Sequence, residues 1–216
     1  MSQNNAPIIR THLRRARQEI SVADRQRGSL LIRARLFTWL AIAREQALIE
    51  QKPIPHIIAA YWPLQDEPDL KPLIEKWLIE TEQPLIQVAL PLVVGDDAPL
   101  QFYPYTSLKE LVPDRFGVMS PQPLLGQAPL VPDVVLVPTL GYTEKGDRIG
   151  YGKGFYDRTL SQLRQQNPYL VTIGIAWDEG RIESIEPTYQ AEPHDFRLDM
   201  ILTPNNWWPS TQSSRV

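Results

Sequence analysis

A short apolar run near the middle of the chain constrains the fold more than any other feature of this sequence. Residues 133–137 read DVVLV, with a valine or leucine at every position after the aspartate. A strand that shows no polar alternation is buried on both of its faces. The run therefore predicts a strand in the interior of the protein.

Other strand and helix patterns alternate along the rest of the chain. Strands are predicted at 56–61, 85–90, 133–137, 171–177 and 199–203, with an edge strand at 99–103. Helices are predicted at 7–20, from 21 to the prolines at 53 and 55, at 69–80 and at about 153–166. Strands that alternate with helices favour an α/β layered sheet with much parallel pairing. The proline-rich segment 104–132 has no regular pattern and is either a lid or plain packing.

The second predicted helix has a clear start and a predicted buried face. Ser21 is a typical N-cap residue, and Asp24 stands three positions later, close to a capping box. The spacing of the apolar residues that follow predicts a buried stripe. That stripe comprises Leu30, Ala34, Leu36, Phe37, Leu40, Ala41 and Ala43.

Length and composition favour a single globular domain. With 216 residues, 43% of them hydrophobic, the chain can bury one substantial core, which we assign to residues 1–209. Residues 210–216 resemble a linker and are expected to form a flexible tail.

The sequence also excludes several classes of protein. It has no cysteine, which rules out disulfides, zinc thiolates and thiol nucleophiles. The net charge of −3 disfavours a nucleic-acid binder that relies on overall basicity. No apolar signal region begins the chain, and no apolar stretch approaches the ~20 residues that a membrane span needs. We expect a cytoplasmic protein with neither nucleic-acid nor membrane partners.

Positive charge is concentrated at the start of the chain. Residues 1–50 carry nine arginines and four acidic residues, so the remainder is acidic. Such asymmetry indicates either an anion-binding site near the start of the chain or a solvated helical face.

The most informative segment, residues 146–158, contains a glycine loop, 150–154. We expect this loop directly after the buried strand and before a helix. Gly150, Gly152 and Gly154 alternate within it, and Arg148 and Lys153 add two cations. Glycines let backbone N–H groups approach an anion, and the N-terminus of the next helix adds partial positive charge. The pattern is typical of a polyphosphate site, with a plain strand-to-helix turn as the structural alternative.

Two familiar phosphate-binding motifs do not fit this loop. A Walker A motif requires Ser or Thr after its lysine, whereas Lys153 is followed by Gly154. A dinucleotide fingerprint requires a third glycine where this chain has Phe155. Asp157, in the first turn of the predicted helix, suits either helix capping or magnesium binding beside phosphate oxygens.

Around this loop the sequence resembles the 5-formyltetrahydrofolate cyclo-ligase family, also called methenyltetrahydrofolate synthetases. The string DVVLVPTLGYTEKGDRIGYGKGFYDRTL, residues 133–160, carries the resemblance with high specificity. Weaker matches follow in the expected order: RTHLR at 10–14, YWPLQDEPD at 61–69 and PHDFRLDMILT at 193–203. The resemblance implies a three-layer α/β/α sandwich with a largely parallel central sheet and an N-terminal helical segment.

The resemblance also implies a reaction. It is the ATP-dependent cyclisation of 5-formyltetrahydrofolate to 5,10-methenyltetrahydrofolate, with release of ADP and phosphate, through a phosphorylated formyl intermediate. ATP is then a co-substrate and Mg²⁺ the cofactor. We expect the enzyme to act as a monomer.

Individual residues acquire roles from the same resemblance. Arg10 and Arg14 would contact ATP phosphates, and Asp157 and Asp195 would hold magnesium. Glu67 and Trp62 would meet the folate as a polar anchor and a flat apolar wall. His194 is expected to be a structural loop residue rather than a base.

The nucleotide is expected to be wrapped by the glycine loop and its neighbours. These residues are Arg148, Ile149, Gly150, Tyr151, Gly152, Lys153, Gly154, Phe155 and Tyr156. Arg148 and Lys153 would act in catalysis, and the stretch from Tyr151 to Phe155 would also lie against the folate.

Three positions depart from the usual family pattern. Arg10 stands where lysine is usual, Thr143 replaces an acid, and Gly180 stands where glutamine is common. Arginine still binds phosphate, through a planar fork instead of a point charge. The other two departures concern the surroundings of the glycine loop.

Two other functions fit the same residues. An isomerase or transferase that acts on a phosphorylated sugar could use a cationic glycine loop, and an isomerase would need no ATP. A non-catalytic folate- or nucleotide-binding protein could use the same pocket, but it would not require a metal ligand such as Asp157.

Overall fold

A seven-stranded sheet organises the structure, a computed structural model that describes residues 5–80, 85–107, 111–183, 185, 189–192 and 194–209. The predicted tail, 210–216, lies outside these residues. The helices are α1 (Ala6–Glu19), α2 (Val22–Ile49), α3 (Lys71–Leu78) and α4 (Phe155–Gln166). The strands are β1 (Ile57–Ala59), β2 (Gln87–Leu92), β3 (Gln101–Pro104), β4 (Leu111–Pro113), β5 (Met119–Pro121), β6 (Val134–Pro138), β7 (Gly141–Tyr142), β8 (Arg148–Ile149), β9 (Val171–Ile175), β10 (Met200–Leu202) and β11 (Trp207–Trp208). A 3₁₀ turn spans Asp178–Gly180.

The strand order of the main sheet is β11-β10-β9-β6-β1-β2-β3. The five inner strands pair in parallel, whereas β3 and β11 are antiparallel edges. Starting from β2, the parallel strands follow one another as the second, first, third, fourth and fifth along the chain. The direction of winding therefore reverses between β1 and β6, which leaves a crevice at their carboxyl ends.

Strand β6 shows how the layers are built. Val134 and Leu136 pack into a core cluster with residues of α2 and α3. Val135 and Val137 pack into a second cluster, on the other face, with residues of α4. Because successive side chains of a strand point to opposite faces, this apolar run needs helices on both sides. The predicted interior strand and the three-layer α/β/α arrangement are both confirmed.

Helix α1 packs away from the sheet. Its Ile9 and Leu13 form a third cluster with Leu140, Ile149 and Ile182. The helix thus docks on the small antiparallel hairpin β7–β8, which the sequence pattern did not predict. This hairpin separates β6 from the glycine loop, so the expectation that the loop directly follows the buried strand was wrong.

Helix α2 begins as predicted but buries a different stripe. The Ser21 hydroxyl oxygen accepts a hydrogen bond from the Asp24 N–H at 3.1 Å. Leu36 and Leu40 are buried as expected, and Ile32 is buried without having been predicted. Leu30, Ala34, Phe37 and Ala41 are exposed, so their assignment to the stripe was wrong. None of the described helices is both long and apolar enough to cross a bilayer.

A close approach at Gly28 determines which side of α2 faces the rest of the protein. A Cβ at this position would lie 2.7 Å from Cζ3 of Trp177 and 3.0 Å from Cγ of Pro204. Trp177 is itself held by a 2.8 Å hydrogen bond from its indole N–H to the Asp66 carbonyl. The helix can reach this position only because residue 28 has no side chain.

Gly28→Ala is therefore expected to lower the free energy of unfolding, measured by chemical denaturation, by about 1–3 kcal/mol through overpacking. This is opposite in sign to the usual effect of the change, since alanine is favoured over glycine in helices by about 1 kcal/mol. Gly95→Ala is the matched control, because its Cβ would meet only the Ala98 Cβ at 3.3 Å. A Gly28→Ala protein as stable as the wild type would contradict the close docking of α2.

Candidate active site

A cavity of about 770 Å³ opens at the carboxyl ends of β1, β2 and β6. Tyr61 and Trp62 follow β1, Val93 follows β2 and Pro138 ends β6, and all four line the cavity. Its position is the crevice expected where the winding of a parallel sheet reverses. Its volume falls within the ~300–1,000 Å³ that is usual for small-molecule sites.

The glycine loop forms part of the cavity wall. Gly152 has φ = 92° and Gly154 has φ = 66°, conformations that strongly favour glycine. Gly154 is also the N-cap of α4, so the start of that helix adjoins the loop. Arg10 of α1 donates from Nε to the Gly150 carbonyl at 3.0 Å, and its guanidinium packs against Gly152. The guanidinium of Arg10 thus holds the backbone of the loop in place.

Lys153, at the tip of this loop, is an available cation. It lines the cavity and is exposed, and its ammonium group has no hydrogen bond or ion pair with any described residue. Arg158 donates from Nη2 to the Lys153 carbonyl at 3.0 Å and to the Asp96 carbonyl at 3.2 Å. The backbone that carries Lys153 is therefore fixed, while its side chain can bind an anion.

Arg148 and Asp157 form an ion pair largely removed from water. Arg148 Nη2 donates to Asp157 Oδ1 at 2.7 Å, and the side chains are 5% and 18% exposed. The Phe196 N–H also donates to Asp157 Oδ1, at 3.2 Å. Within the described part of the chain, Asp157 Oδ2 accepts no hydrogen bond, and the buried Nε of Arg148 has no partner. Both groups line the cavity and have unused bonding capacity.

Asp195 is the second acid in this part of the wall. Its Oδ2 accepts hydrogen bonds from the Tyr189 hydroxyl at 3.0 Å and the Glu192 N–H at 2.8 Å. Its Oδ1 accepts no hydrogen bond from a described residue, and His194 Nε2 lies 4.0 Å from it. Because the backbone N–H of the next residue, Phe196, bonds to Asp157, the backbone of Asp195 lies beside Asp157. The described residues contain no group of three or more metal-ligating side chains, so a cation here would take at most two carboxylates from them.

Glu67 lies at the centre of a buried hydrogen-bonded chain. Its side chain accepts a hydrogen bond from the Tyr151 hydroxyl at 2.5 Å and another from the Leu64 N–H at 2.9 Å. The Tyr151 hydroxyl in turn accepts from Nη1 of Arg17 at 2.8 Å. Burial raises the pKa of Glu67 above its ordinary value, and the hydrogen bonds from Tyr151 and Leu64 and the Arg17 charge oppose this shift only in part. The residue is a polar group that the fold keeps inside the cavity wall at a cost in stability.

Part of the proline-rich segment 104–132 also lines the cavity. Strands β4 and β5 form a hairpin there, and its Asp114, Phe116, Val118 and Ser120 face the cavity. Phe116 meets Phe155 edge-on, with ring centroids 6.0 Å apart. This hairpin is therefore part of the cavity wall, a position that fits both the lid and the plain-packing alternatives.

The structure brings together all but one of the residues predicted for the site. Arg10, Trp62, Glu67, Asp195 and the stretch 148–157 line one cavity. Arg14 does not, because its side chain is exposed on α1 outside the cavity wall. Its predicted contact with ATP phosphates therefore has no support from the position of its side chain.

Arg17 was missed by sequence reasoning, although it donates a hydrogen bond to the hydroxyl of Tyr151, a residue of the cavity wall. It is 3% exposed and donates from Nη2 to the Thr139 carbonyl at 2.8 Å. Its spacing of seven residues from Arg10, close to two helical turns, was an available signal. Other arginines in residues 1–50 make local bonds: Arg25 donates to the Arg17 and Gln18 carbonyls, and Arg33 to the Asp69 carbonyl. Arg25 and Arg33 therefore serve helix packing and not an anion site.

Two departures from the family pattern have local explanations. The Thr143 hydroxyl bonds to the Asp147 carboxylate at 3.1 Å, so an acid at position 143 would face a like charge. A Cβ at position 180 would lie 2.9 Å from the Leu140 carbonyl oxygen, so a glutamine would require the backbone to move. Both changes are accommodated by the packing around β7.

A pH-dependent difference in stability is expected for Glu67→Gln. Burial raises the pKa of Glu67 in the folded protein. As the pH rises, the unfolded chain therefore loses this proton at a lower pH than the folded protein does, starting near a pKa of about 4.3. The wild type then loses stability up to the native pKa, above which the penalty stays constant. The unfolding free energy of Glu67→Gln relative to wild type should rise across this window, as measured by denaturation at a series of pH values. Stability curves that stay parallel at all pH values would contradict the buried carboxylate.

Comparison with known proteins agrees with this arrangement. The sequence profile of the 5-formyltetrahydrofolate cyclo-ligase family matches residues 2–204. The chain is 30% identical to a 5-formyltetrahydrofolate cyclo-ligase of Mycolicibacterium smegmatis, over 94% of this chain and 96% of that protein. It is also 30% identical to the Escherichia coli K12 enzyme of the same name, over 71% and 80% of the two chains.

Solved structures show the same fold. The Aquifex aeolicus 5,10-methenyltetrahydrofolate synthetase superposes with a TM-score of 0.70 and 23% identity, over 98% of this chain and 95% of that one. The corresponding Mycoplasma pneumoniae protein superposes with a TM-score of 0.62 and 24% identity, over 93% and 99% of the two chains. Since the profile match spans nearly the whole chain and includes every strand that borders the cavity, the protein belongs to the 5-formyltetrahydrofolate cyclo-ligase family.

Proposed function

We propose that this protein uses ATP to convert 5-formyltetrahydrofolate to 5,10-methenyltetrahydrofolate, with release of ADP and phosphate. One observation carries the proposal: a cationic glycine loop and the buried carboxylate of Glu67 line a single cavity and touch through Tyr151. The loop suits a polyphosphate, and the carboxylate suits the N–H donors of a folate ring. Family membership supports the choice of these two substrates.

The nucleotide would bind along the glycine loop. Lys153 has a free ammonium group for a terminal phosphate, and Arg10 lies against Gly152 with Nη atoms that make no hydrogen bond to described residues. The N-terminus of α4 adds partial positive charge at the same place. The other wrapping residues are Arg148, Ile149, Gly150, Tyr151, Gly154, Phe155 and Tyr156, all of which line the cavity. Arg14 is left out, because it is exposed elsewhere on α1.

The two neighbouring acids fit a magnesium ion. Magnesium is usually held by one or two carboxylates together with phosphate oxygens and water, which matches Asp157 and Asp195 next to a phosphate loop. Each acid has one oxygen engaged by protein donors and one without a hydrogen bond from described residues. When bound, the ion would neutralise charge on the phosphates. Asp157 and Asp195 would be the residues of the chain that hold it.

The folate would bind on the β1 side of the cavity. Trp62 follows β1 and is fixed edge-on against Tyr105, with ring centroids 5.9 Å apart, so it can serve as a flat wall. Glu67 would accept hydrogen bonds from the ring. The formyl group would then lie towards the glycine loop, since the Tyr151 hydroxyl already contacts Glu67.

The reaction would proceed in two steps. The terminal phosphoryl group of ATP passes to the formyl oxygen and ADP leaves, which makes the amide carbon electrophilic. The nitrogen at position 10 then attacks this carbon and loses its proton, while the carbon–oxygen bond breaks and phosphate departs. The product has a methenyl bridge between the two nitrogens.

The reaction requires few catalytic groups from the protein. Phosphoryl transfer depends mainly on positioning and charge stabilisation, which Arg148, Lys153 and the loop amides can supply. Ring closure is intramolecular, and holding two groups in contact can lower a barrier by ~7–11 kcal/mol. The walls formed by Trp62, Phe155 and Tyr156 would exclude water, which would otherwise hydrolyse the activated formyl group. A cytoplasmic location and a monomeric state remain predictions.

The direct test is to mix the protein with 5-formyltetrahydrofolate, ATP and Mg²⁺ and to follow the absorbance of the methenyl product. We expect product and ADP in equal amounts, and neither when ATP is omitted. Product formed without ATP would contradict the proposed activation. Consumption of neither substrate would contradict the proposed function as a whole.

Lys153→Ala is expected to raise the KM for ATP by about tenfold or more, since hydrogen bonds to charged groups contribute ~1.5–3 kcal/mol. The KM for 5-formyltetrahydrofolate should change much less. Lys145→Ala is the matched control, because Lys145 is exposed in the turn between β7 and β8 and does not line the cavity. If Lys153→Ala mainly raised the KM for the folate, the loop would belong to that substrate.

Asp157→Asn is expected to raise the Mg²⁺ concentration for half-maximal activity by about tenfold or more, because magnesium takes only one or two carboxylates from a protein. Asparagine retains an acceptor for Arg148 and Phe196, whereas alanine would leave a buried arginine unpaired at a cost of about 3–5 kcal/mol. Asp199→Asn is the control, since Asp199 pairs with Arg164 outside the cavity. An unchanged Mg²⁺ requirement in Asp157→Asn would refute the assignment.

A further inference from the structure

Three segments that are distant in sequence meet at the hydroxyl group of Tyr151. Arg17 of α1 donates to it at 2.8 Å, and it donates to Glu67 of the turn after β1 at 2.5 Å. Tyr151 itself belongs to the glycine loop. Among the described residues, the bond to Glu67 is the one hydrogen bond that joins this loop to the 64–67 turn.

Arg17 is anchored so that it can hold this hydroxyl in place. Its Nη2 donates to the Thr139 carbonyl at 2.8 Å, directly after the rigid strand β6. Its Nη1 lies 3.9 Å from the Asp66 carboxylate. A guanidinium has donors fixed in a planar fork, so one group can bind the carbonyl and the hydroxyl together. A lysine ammonium, a point charge on a flexible stem, lacks this fixed geometry.

We propose that Arg17 is a positioning residue that couples the two substrate sites, because it holds the Tyr151 hydroxyl against Glu67. This inference rests on the proposed function, in which the nucleotide contacts the glycine loop and the folate contacts Glu67. Each ligand favours the arrangement to which it binds best. Since Tyr151 is part of the loop and bonds to Glu67, both ligands favour the same arrangement, and each improves binding of the other.

The buried position of this chain of bonds supports a role in positioning. Arg17 is 3% exposed and Glu67 is 7% exposed, so the bonds between them are shielded from competing water. Burial also raises the pKa of Tyr151 well above its ordinary value, so its hydroxyl keeps the proton that it donates to Glu67. The Tyr151 residue as a whole is 37% exposed and lines the cavity, so a ligand can contact its ring.

The test measures how one substrate changes the affinity for the other. Calorimetry would give the Kd of a non-hydrolysable ATP analogue with Mg²⁺, alone and with saturating 5-formyltetrahydrofolate. In the wild type we expect the folate to tighten nucleotide binding by about fivefold or more, the lower end of usual coupling between sites. Arg17→Lys, which keeps the charge but loses the fork, should bring this factor close to one.

Tyr151→Phe should have the same effect, and the double variant should lose no more than either single variant, because both act through one hydroxyl. The single variant Tyr151→Phe also provides a second measurement if Arg17→Lys folds poorly. Arg15→Lys is the matched control, since Arg15 lies on the same helix, bonds to Glu19 and does not line the cavity. It should retain the wild-type factor.

The outcomes separate this inference from the proposed function. The coupling role of Arg17 is overturned if the wild type binds both ligands but the folate leaves the Kd of the nucleotide unchanged. It is also overturned if both variants keep the wild-type change in Kd. In either case the proposed reaction stands. If the wild type binds neither ligand, the proposed function itself fails, and the inference fails with it.

Discussion

The reversal of strand winding between β1 and β6 is the constraint on which the rest of the structure depends. Because crossovers leave this point in opposite directions, an opening remains at the carboxyl ends of these two strands. The chain lines the opening with segments that carry polar groups, namely the 64–67 turn and the glycine loop. Strand β6 gives them a rigid base, since its side chains pack against helices on both faces. The glycine loop is fastened beside the end of this strand, since Arg17 bonds to both the Thr139 carbonyl and the Tyr151 hydroxyl.

Charges inside this crevice fall into two groups with different physical roles. Arg148 with Asp157, and Arg17 with Tyr151 and Glu67, are held in place by hydrogen bonds away from bulk water. Buried pairs of this kind add little net stability, because desolvation offsets the attraction between the charges. What they contribute here is a fixed geometry. Lys153, by contrast, is exposed and has no bonded partner among the described residues, so it can bind an incoming anion without first breaking an existing bond.

Sequence patterns predicted those parts of the fold in which the residue types of a segment by themselves indicate the environment of that segment in the folded protein. The valine run of β6 is buried in any sheet that covers it, and alternating glycines before a helix indicate an anion site wherever the helix packs. The side of a helix that faces a site is different, because it depends on docking. On α1, Arg17 lies almost two full turns after Arg10 and therefore on nearly the same side of the helix. Arg14 is rotated by about 40° around the helix axis relative to Arg10. Arg14 was chosen because of the family resemblance, whereas the docking of α1 on β7–β8, which no local pattern shows, brings Arg17 to Tyr151. The stripe of α2 was misplaced for the same reason, since apolar residues occur on several of its sides and the contact of Gly28 with Trp177 selects one.

The docking of α1 itself depends on missing side chains. A Cβ at Gly141 would overlap Leu13 of α1 and Ile182, and a Cβ at Gly180 would press on the Leu140 carbonyl. Without side chains at these positions, α1 and the 3₁₀ turn lie directly on the backbone of β7. This close approach brings Arg17 within 2.8 Å of the Thr139 carbonyl and Arg10 within 3.0 Å of the Gly150 carbonyl. Gly180, which departs from the usual family residue, is therefore part of the packing that places two arginines of the first helix at the cavity. A larger residue there would be compatible with the same site only if α1 and the turn moved outward together.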